Sequence, residues 1–238
     1  MWREARLDCE AMAFSRGERP LAAGISLSLT AGDAVALVGP NGSGKTSLLR
    51  ILAGLAEPQA GRIALSVCDV AADVPRSALC HLGGHADGLK GALTVEQNLA
   101  FWIAYFGRPP QSPTIAEALD RLGIGHVIGL PAGILSQGQK RRVALARLLV
   151  APRPIWLLDE PTAALDDASV ERFMALAAAH RAAGGIVVFA THSALPMDGL
   201  KTLDLADYPP KLPASFGSAK ADGRRGASED YWLDGGGS

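Results

Sequence analysis

The sequence predicts an α/β fold with a helical subdomain inserted into it. Short aliphatic runs at 34–38, 63–67, 155–158 and 186–190 are separated by stretches of helical period. One of these runs leads through a glycine-rich loop straight into a helix. Between about residues 88 and 151 the pattern is helical only, which places an insertion inside an alternating strand and helix core.

Taken in order, Ile25, Leu27 and Leu29 alternate as a half-buried strand does, and Thr30-Ala31-Gly32-Asp33 supplies a turn. The near-continuous apolar run Ala34 to Val38 follows and predicts a fully buried strand ending at Gly39. From Lys45 to Gly54, Leu48, Leu49 and Leu52 fall at helical spacing and a glycine closes the segment. Within the insertion, Leu99, Trp102, Ile103 and Phe106 share one helix face and are read as packing residues. Pro109, Pro110 and Pro113 end that helix. A second helix is predicted over Ile115 to Leu122. A third, from about Gln137 to Val150, reads as amphipathic, with Lys140, Arg141, Arg142 and Arg147 among its apolar residues. From Tyr208 onward the chain is poor in aliphatic residues and rich in proline, glycine, serine and charge. The folded domain is therefore expected over residues 1–205 and a disordered tail over 206–238.

A chain of 238 residues suits one substantial core better than two independent ones. The 23 Lys and Arg against 24 Asp and Glu give a net charge of -1, which offers no general attraction for nucleic acid or an anionic membrane. A hydrophobic fraction of 48% with only 5% aromatics implies an aliphatic core. No stretch of about 18 residues is apolar enough to span a bilayer. The charged start MWREARLDCE has no apolar signal segment, so a cytoplasmic protein is expected. Cys9, Cys68 and Cys80 have neither disulfide-framework number nor metal-ligand spacing and are read as free, partly buried thiols.

The chemistry concentrates in Gly39-Pro40-Asn41-Gly42-Ser43-Gly44-Lys45-Thr46, which satisfies GxxxxGK[ST], with Ser47 following. It lies where its mechanism requires, between a buried strand and a helix start. Glycines let the backbone wrap closely around phosphates, and the helix N-terminus carries about +0.5 charge. Lys45 would reach the β and γ phosphates of ATP, and the Thr46 hydroxyl would ligate Mg²⁺. The strand Ile155 to Leu158 ends in Asp159-Glu160, which sets two carboxylates beside the phosphate loop. Asp159 would hold Mg²⁺ and Glu160 would polarise the attacking water. Alone such a pair is often a solvated strand end; joined to the phosphate loop it is an ATPase constellation.

Leu135-Ser136-Gln137-Gly138-Gln139, followed by Lys140 to Arg147, resembles the signature of the ABC ATPases, whose pattern is LSGGQ. Gln137 stands where the family has its first glycine, a change tolerated if that position needs no positive φ. The order of three further elements matches: Ala164-Leu165-Asp166 is similar to the D-loop, Thr191-His192 to the switch histidine, and His85 falls at the position of the Q-loop glutamine. The resemblance implies a P-loop NTPase of ABC ATPase type with a mixed sheet core. It further implies that Ser136, Gln137, Gly138 and Gln139 contact ATP held by a second copy of the chain, that Asp166 couples the two sites, and that His192 touches the γ-phosphate and orients the Glu160 water. A histidine at position 85 is a poor direct ligand for Mg²⁺, which prefers oxygen. Phe14 or Arg16 would stack on adenine.

The segments LGGHADGLKGALTVEQNLAFW from Leu82 and LPAGILSQGQKRRVALARLLVAPRPIWLLDEPTAALD from Leu130 resemble the ATP-binding subunits of the cytochrome c maturation haem export system. That likeness implies a peripheral protein on the cytoplasmic face of the bacterial inner membrane, working with integral membrane subunits. The loop from His85 to Leu93 would be the docking segment, and the energy of ATP would drive haem export or release of haem from its chaperone. The alternatives are a soluble ABC ATPase of iron–sulfur cluster assembly, the ATPase of another small-substrate exporter, and a nucleotide-binding module that barely hydrolyses. Intact Lys45, Glu160 and His192 speak against the last.

Overall fold

The structure is a computed structural model that describes residues 2, 4–68, 70–71, 73–84, 86–192 and 196–210. Its strands are β1 (Arg6–Arg16), β2 (Arg19–Thr30), β3 (Ala34–Val38), β4 (Ala60–Ser66), β5 (Cys80–Gly83), β6 (Ile155–Asp159), β7 (Ile186–Ala190) and β8 (Leu200–Asp204). Its α-helices are α1 (Lys45–Leu52), α2 (Arg76–Leu79), α3 (Val95–Phe106), α4 (Ile115–Arg121), α5 (Gln137–Val150) and α6 (Asp167–Ala182). Both strand directions are present, and they separate into two sheets. β2-β1-β4 form an antiparallel sheet, and β5-β6-β7-β3-β8 a parallel one.

The parallel sheet is the middle layer. Every residue of β6 and β7 is buried, as continuous apolar runs in a two-sided sheet require. Alternation sends their side chains to opposite faces. Ile155, Leu157, Ile186 and Val188 pack with Leu48, Leu49 and Leu52 of α1 and with Leu7, Phe14 and Ile25 of the antiparallel sheet. Trp156, Leu158, Val187 and Phe189 meet Phe173 and Ala177 of α6 and Leu99 and Val143 of the helical insertion. A fully buried side chain such as Phe189 or Leu49 contributes roughly 1.5–3 kcal/mol.

The antiparallel sheet begins with a hairpin that joins Arg16 to Arg19 through a two-residue loop with Gly17 at φ 60°. β1 is irregular near Ala11, which has φ 49°, and Gly61 of β4 crosses it there. A Cβ on Gly61 would lie 2.4 Å from the Glu10 carbonyl, so only glycine fits.

The helices of the insertion begin with reciprocal caps: Thr94 with Gln97 for α3, Thr114 with Glu117 for α4, and Ser136 with Gln139 for α5. α3 starts at Val95 and turns Leu99 inward, while Ile103 and Phe106 are partly covered. Its other side carries Phe101 and Tyr105, 58% and 69% exposed. α5 departs from the amphipathic expectation, because Arg141 and Arg147 are buried together with Val143 to Ala146. At the far end, Leu205 is buried and Tyr208 packs on the core, its carbonyl accepting from the Ala23 amide, so the fold continues past residue 205. Most of the expected tail, from residue 211, lies outside the described residues. Cys9 and Cys80 are core thiols that burial pushes up to about 12, while Cys68 is exposed.

His180 of α6 is buried, lies flat against Trp156 at 4.0 Å between ring centroids, and donates to the Pro154 carbonyl at 3.2 Å. Burial pushes it down to about 4. The unfolded chain therefore takes up a proton near pH 6.5 that the fold refuses until near pH 4. Stability is complete above 6.5 and is lost as pH falls towards 4, by about 3 kcal/mol from this residue alone. Urea titrations of His180→Leu are expected to show a lower midpoint at pH 7.5 but a shallower decline on acidification. A slope equal to that of the parent chain would show that His180 is not the group responsible.

Candidate functional site

Three parallel strands end along one rim of the sheet, and each delivers part of a polar cleft. β3 runs into the loop 39–44, whose glycines adopt conformations closed to other residues: Gly39 at φ 133°, Gly42 at 78° and Gly44 at 107°. Gly44 is also confined, since a Cβ there would lie 2.8 Å from Phe14 Cε2. No side chain caps α1, so its N-terminal amides and partial positive charge are left to the cleft that Gly44, Lys45, Thr46 and Ser47 line. The Lys45 ammonium, only 8% exposed as a residue, donates to the Gly39 carbonyl at 2.7 Å and the Pro40 carbonyl at 3.2 Å. The Ser43 amide closes the loop on Pro40 at 3.2 Å.

β6 ends in Asp159, whose carboxylate accepts from the Thr46 hydroxyl at 2.6 Å across 113 residues of sequence. Two hard oxygen donors therefore face each other at the start of α1, a donor set that fits a magnesium ion. Glu160 follows in a left-handed conformation, φ 49°, with its amide donating to the Ala190 carbonyl of β7 at 2.8 Å. Its Oε1, shielded from solvent and without a hydrogen bond among the described residues, sits 3.6 Å from His192 Nε2 just beyond β7. Together with Arg16 and Asn41 these groups enclose an open cleft of about 280 Å³.

The two stacking candidates now separate. Phe14 is 1% exposed and belongs to the core beneath Gly44, whereas Arg16 lines the cleft. His85 lies outside the described residues.

The remaining predicted residues do not line this cleft. Ser136 caps α5 by accepting from the Gln139 amide at 3.2 Å, and the Gln139 side chain accepts from the Ser136 amide at 2.9 Å. Gln137 opens the helix without positive φ, which is why a non-glycine residue is tolerated there. Gly138 is needed for space, since a Cβ would come 2.9 Å from the Ala164 carbonyl. Asp166 is exposed and caps α6 by accepting from the Ser169 amide at 2.8 Å, and hydrogen bonding from Ser169 holds its carboxyl below the usual range.

One residue important to this geometry escaped the sequence reading. Arg141, one of the four basic residues of the helix expected to be amphipathic, is buried and donates to the carbonyls of Asp159, at 2.8 Å, and Glu160. A signal existed: Arg141, Ala144, Leu145 and Leu148 fall at i, i+3, i+4 and i+7, the spacing of a core-facing stripe.

Residues 22–163 match the ABC transporter family model. Among curated proteins, the chain is 47% identical over 205 residues to the cytochrome c biogenesis ATP-binding export protein CcmA of Rhizobium meliloti, covering 85% of this chain and 99% of that one. It is 43% identical to the protein of the same name from Rhodobacter capsulatus, covering 96% and 97%. An ABC transporter ATP-binding protein from Pyrococcus furiosus superposes with a TM-score of 0.73 over 86% of this chain and 99% of its own, and at 24% identity it shows the fold alone.

Gly44→Ala is expected to weaken binding of a fluorescent ATP analogue at least about tenfold, because the added methyl meets Phe14 and φ 107° strains any side chain. Unchanged affinity would mean that the loop can adopt another productive shape.

Proposed function

This chain belongs to the ABC transporter family, and from that premise we propose that it is the ATP-hydrolysing subunit of a complex that exports haem, or releases it from a chaperone, in c-type cytochrome biogenesis. The engine half of this reading is carried by one observation: Lys45, Thr46, Asp159, Glu160 and His192 converge on a single cleft. The cargo half is supported by the two relatives named as cytochrome c biogenesis export proteins, which the chain matches over nearly their full length.

ATP enters with its phosphates against the amides of the 39–44 loop and the start of α1. Lys45 exchanges its two carbonyl partners for β- and γ-phosphate oxygens, and Arg16 lies along the purine. Thr46 and Asp159 would hold magnesium, which when bound offsets the charge of the phosphates. Glu160 orients the attacking water and accepts its proton, while His192 fixes the Glu160 carboxylate and meets the γ-phosphate.

Ser136, Gln137, Gly138 and Gln139 lie apart from this cleft, on a helix N-terminus suited to phosphate. In this reading they serve ATP on a second copy, so two chains enclose two nucleotides, with Asp166 at the contact between them. The other partner is an integral membrane subunit. In this reading the chain sits peripherally on the cytoplasmic face beside that subunit; its described residues contain no helix long and apolar enough to cross a membrane. The exposed aromatics Phe101 and Tyr105, with Leu55 in the groove that Tyr105 also lines, form the apolar surface offered to that subunit.

Glu160→Gln is expected to retain ATP binding, lower turnover at least about 100-fold and accumulate an ATP-dependent dimer by light scattering. Undiminished turnover would remove Glu160 from the chemistry. Loss of the gene is expected to abolish haem attachment to c-type cytochromes while other haem proteins persist; normal c-type cytochromes would refute the cargo.

A further inference from the structure

Glu160 holds an unfavourable backbone. A left-handed φ costs a non-glycine residue roughly 1 kcal/mol or more, and the following residue, Pro161, further biases position 160 towards an extended conformation. The local sequence alone would therefore not keep this carboxylate where it faces His192. Something must hold the peptide from outside.

The amide side of Glu160 is held by the Ala190 carbonyl of β7 at 2.8 Å. On the carbonyl side, the Ala163 amide donates at 3.1 Å within the turn that follows, and the contact from outside that turn, among the described residues, comes from Arg141. One nitrogen of its guanidinium, Nη2, donates to the Asp159 carbonyl at 2.8 Å and to the Glu160 carbonyl. The other, Nη1, donates to the Gly84 carbonyl at 3.0 Å and to Asp87 Oδ1 at 3.2 Å. The side chains of this pair are only 8% and 17% exposed, so water competes weakly for either. A planar fork with nitrogens aimed in two directions suits this bridging; a lysine ammonium could reach one side but not span both.

We propose that Arg141 is a positioning residue for hydrolysis: it clamps the peptide after Glu160 in its left-handed conformation, and Asp87 aims the clamp. This rests on the reading of the chain as an ATPase with Glu160 beside the water. Asp87 also opposes the charge of Arg147, a neighbour that burial first and Arg141 second push down to about 10. Neutralising Asp87 thus loosens the orientation of Arg141 without removing the guanidinium. Gly84 and Asp87 then have a direct mechanical line to the reacting end of the cleft, because both touch the same guanidinium that touches Glu160.

The test uses the full chain as Arg141→Met, Arg141→Lys and Asp87→Asn, with Lys45→Ala as reference. Arg141→Met is expected to lower kcat at least about tenfold while KM and affinity for a fluorescent ATP analogue change less than about threefold. Arg141→Lys should recover part of that loss and Asp87→Asn should fall between. Hydrogen exchange of the peptide covering Glu160 should accelerate in Arg141→Met, with α1 and β3 unchanged. Retained kcat with unaltered exchange at Glu160, or parallel loss of nucleotide affinity and thermal stability in all three variants, would overturn the clamp. The parent reading fails differently, by turnover of the unaltered chain that Lys45→Ala does not abolish; the exchange experiment decides the clamp in either case.

Discussion

Leu37, Ala190 and Asp159 lie side by side across three parallel strands, Leu37 paired with Ala190 and Ala190 with Asp159. Everything chemical in the molecule depends on that register. Parallel strands end on the same rim, so the residues just past each end are neighbours whatever their distance in sequence. The loop after β3, the dipeptide Asp159-Glu160 and His192 converge for that reason. A slip of one residue in β6 would turn Asp159 to the opposite face and break its 2.6 Å contact with Thr46. The buried faces of β6 and β7 forbid such a slip, because it would exchange Trp156 and Leu157 between two differently shaped layers.

Much of this was legible in advance because strong local rules applied. A buried apolar run, a glycine loop and a helix start have a fixed order, and the strand ending in Asp159-Glu160 has a place only beside them. The short strands β5 and β8 were not legible. Four and five residues with mixed polarity carry little period, and they are strands only because β6 and β3 offer paired edges. Phe14 shows a different limit: an aromatic near the nucleotide site in sequence is buried because Gly44 leaves it the space beneath the loop. Arg141 was hidden by its charge. Composition assigns arginine to the surface, and only tertiary partners show that its donors are used internally.

α5 carries an unusual load for that reason. Arg141 and Arg147 both enter the interior, and each satisfies backbone carbonyls at the ends of neighbouring strands. Arg147 donates to Leu82 of β5 at 2.6 Å and lies over Trp102, its charge 5.2 Å from the ring centre. An unpaired charge in such a place costs several kcal/mol, so the helix is tied to these strand ends. The helix that begins with the signature residues is thereby the same rigid body that holds the carbonyl side of Glu160.

The resting partners of Lys45 have a consequence for selectivity. Its ammonium is bonded to Gly39 and Pro40, so on the proposed reading the phosphate oxygens of a nucleotide must outcompete two internal acceptors. A monophosphate brings no oxygen to the place where that exchange occurs. It would meet a loop that has nothing to gain by releasing its lysine. On the proposed reading, discrimination by phosphate number would follow from the loop's own hydrogen bonding, before any contact to base or sugar is made.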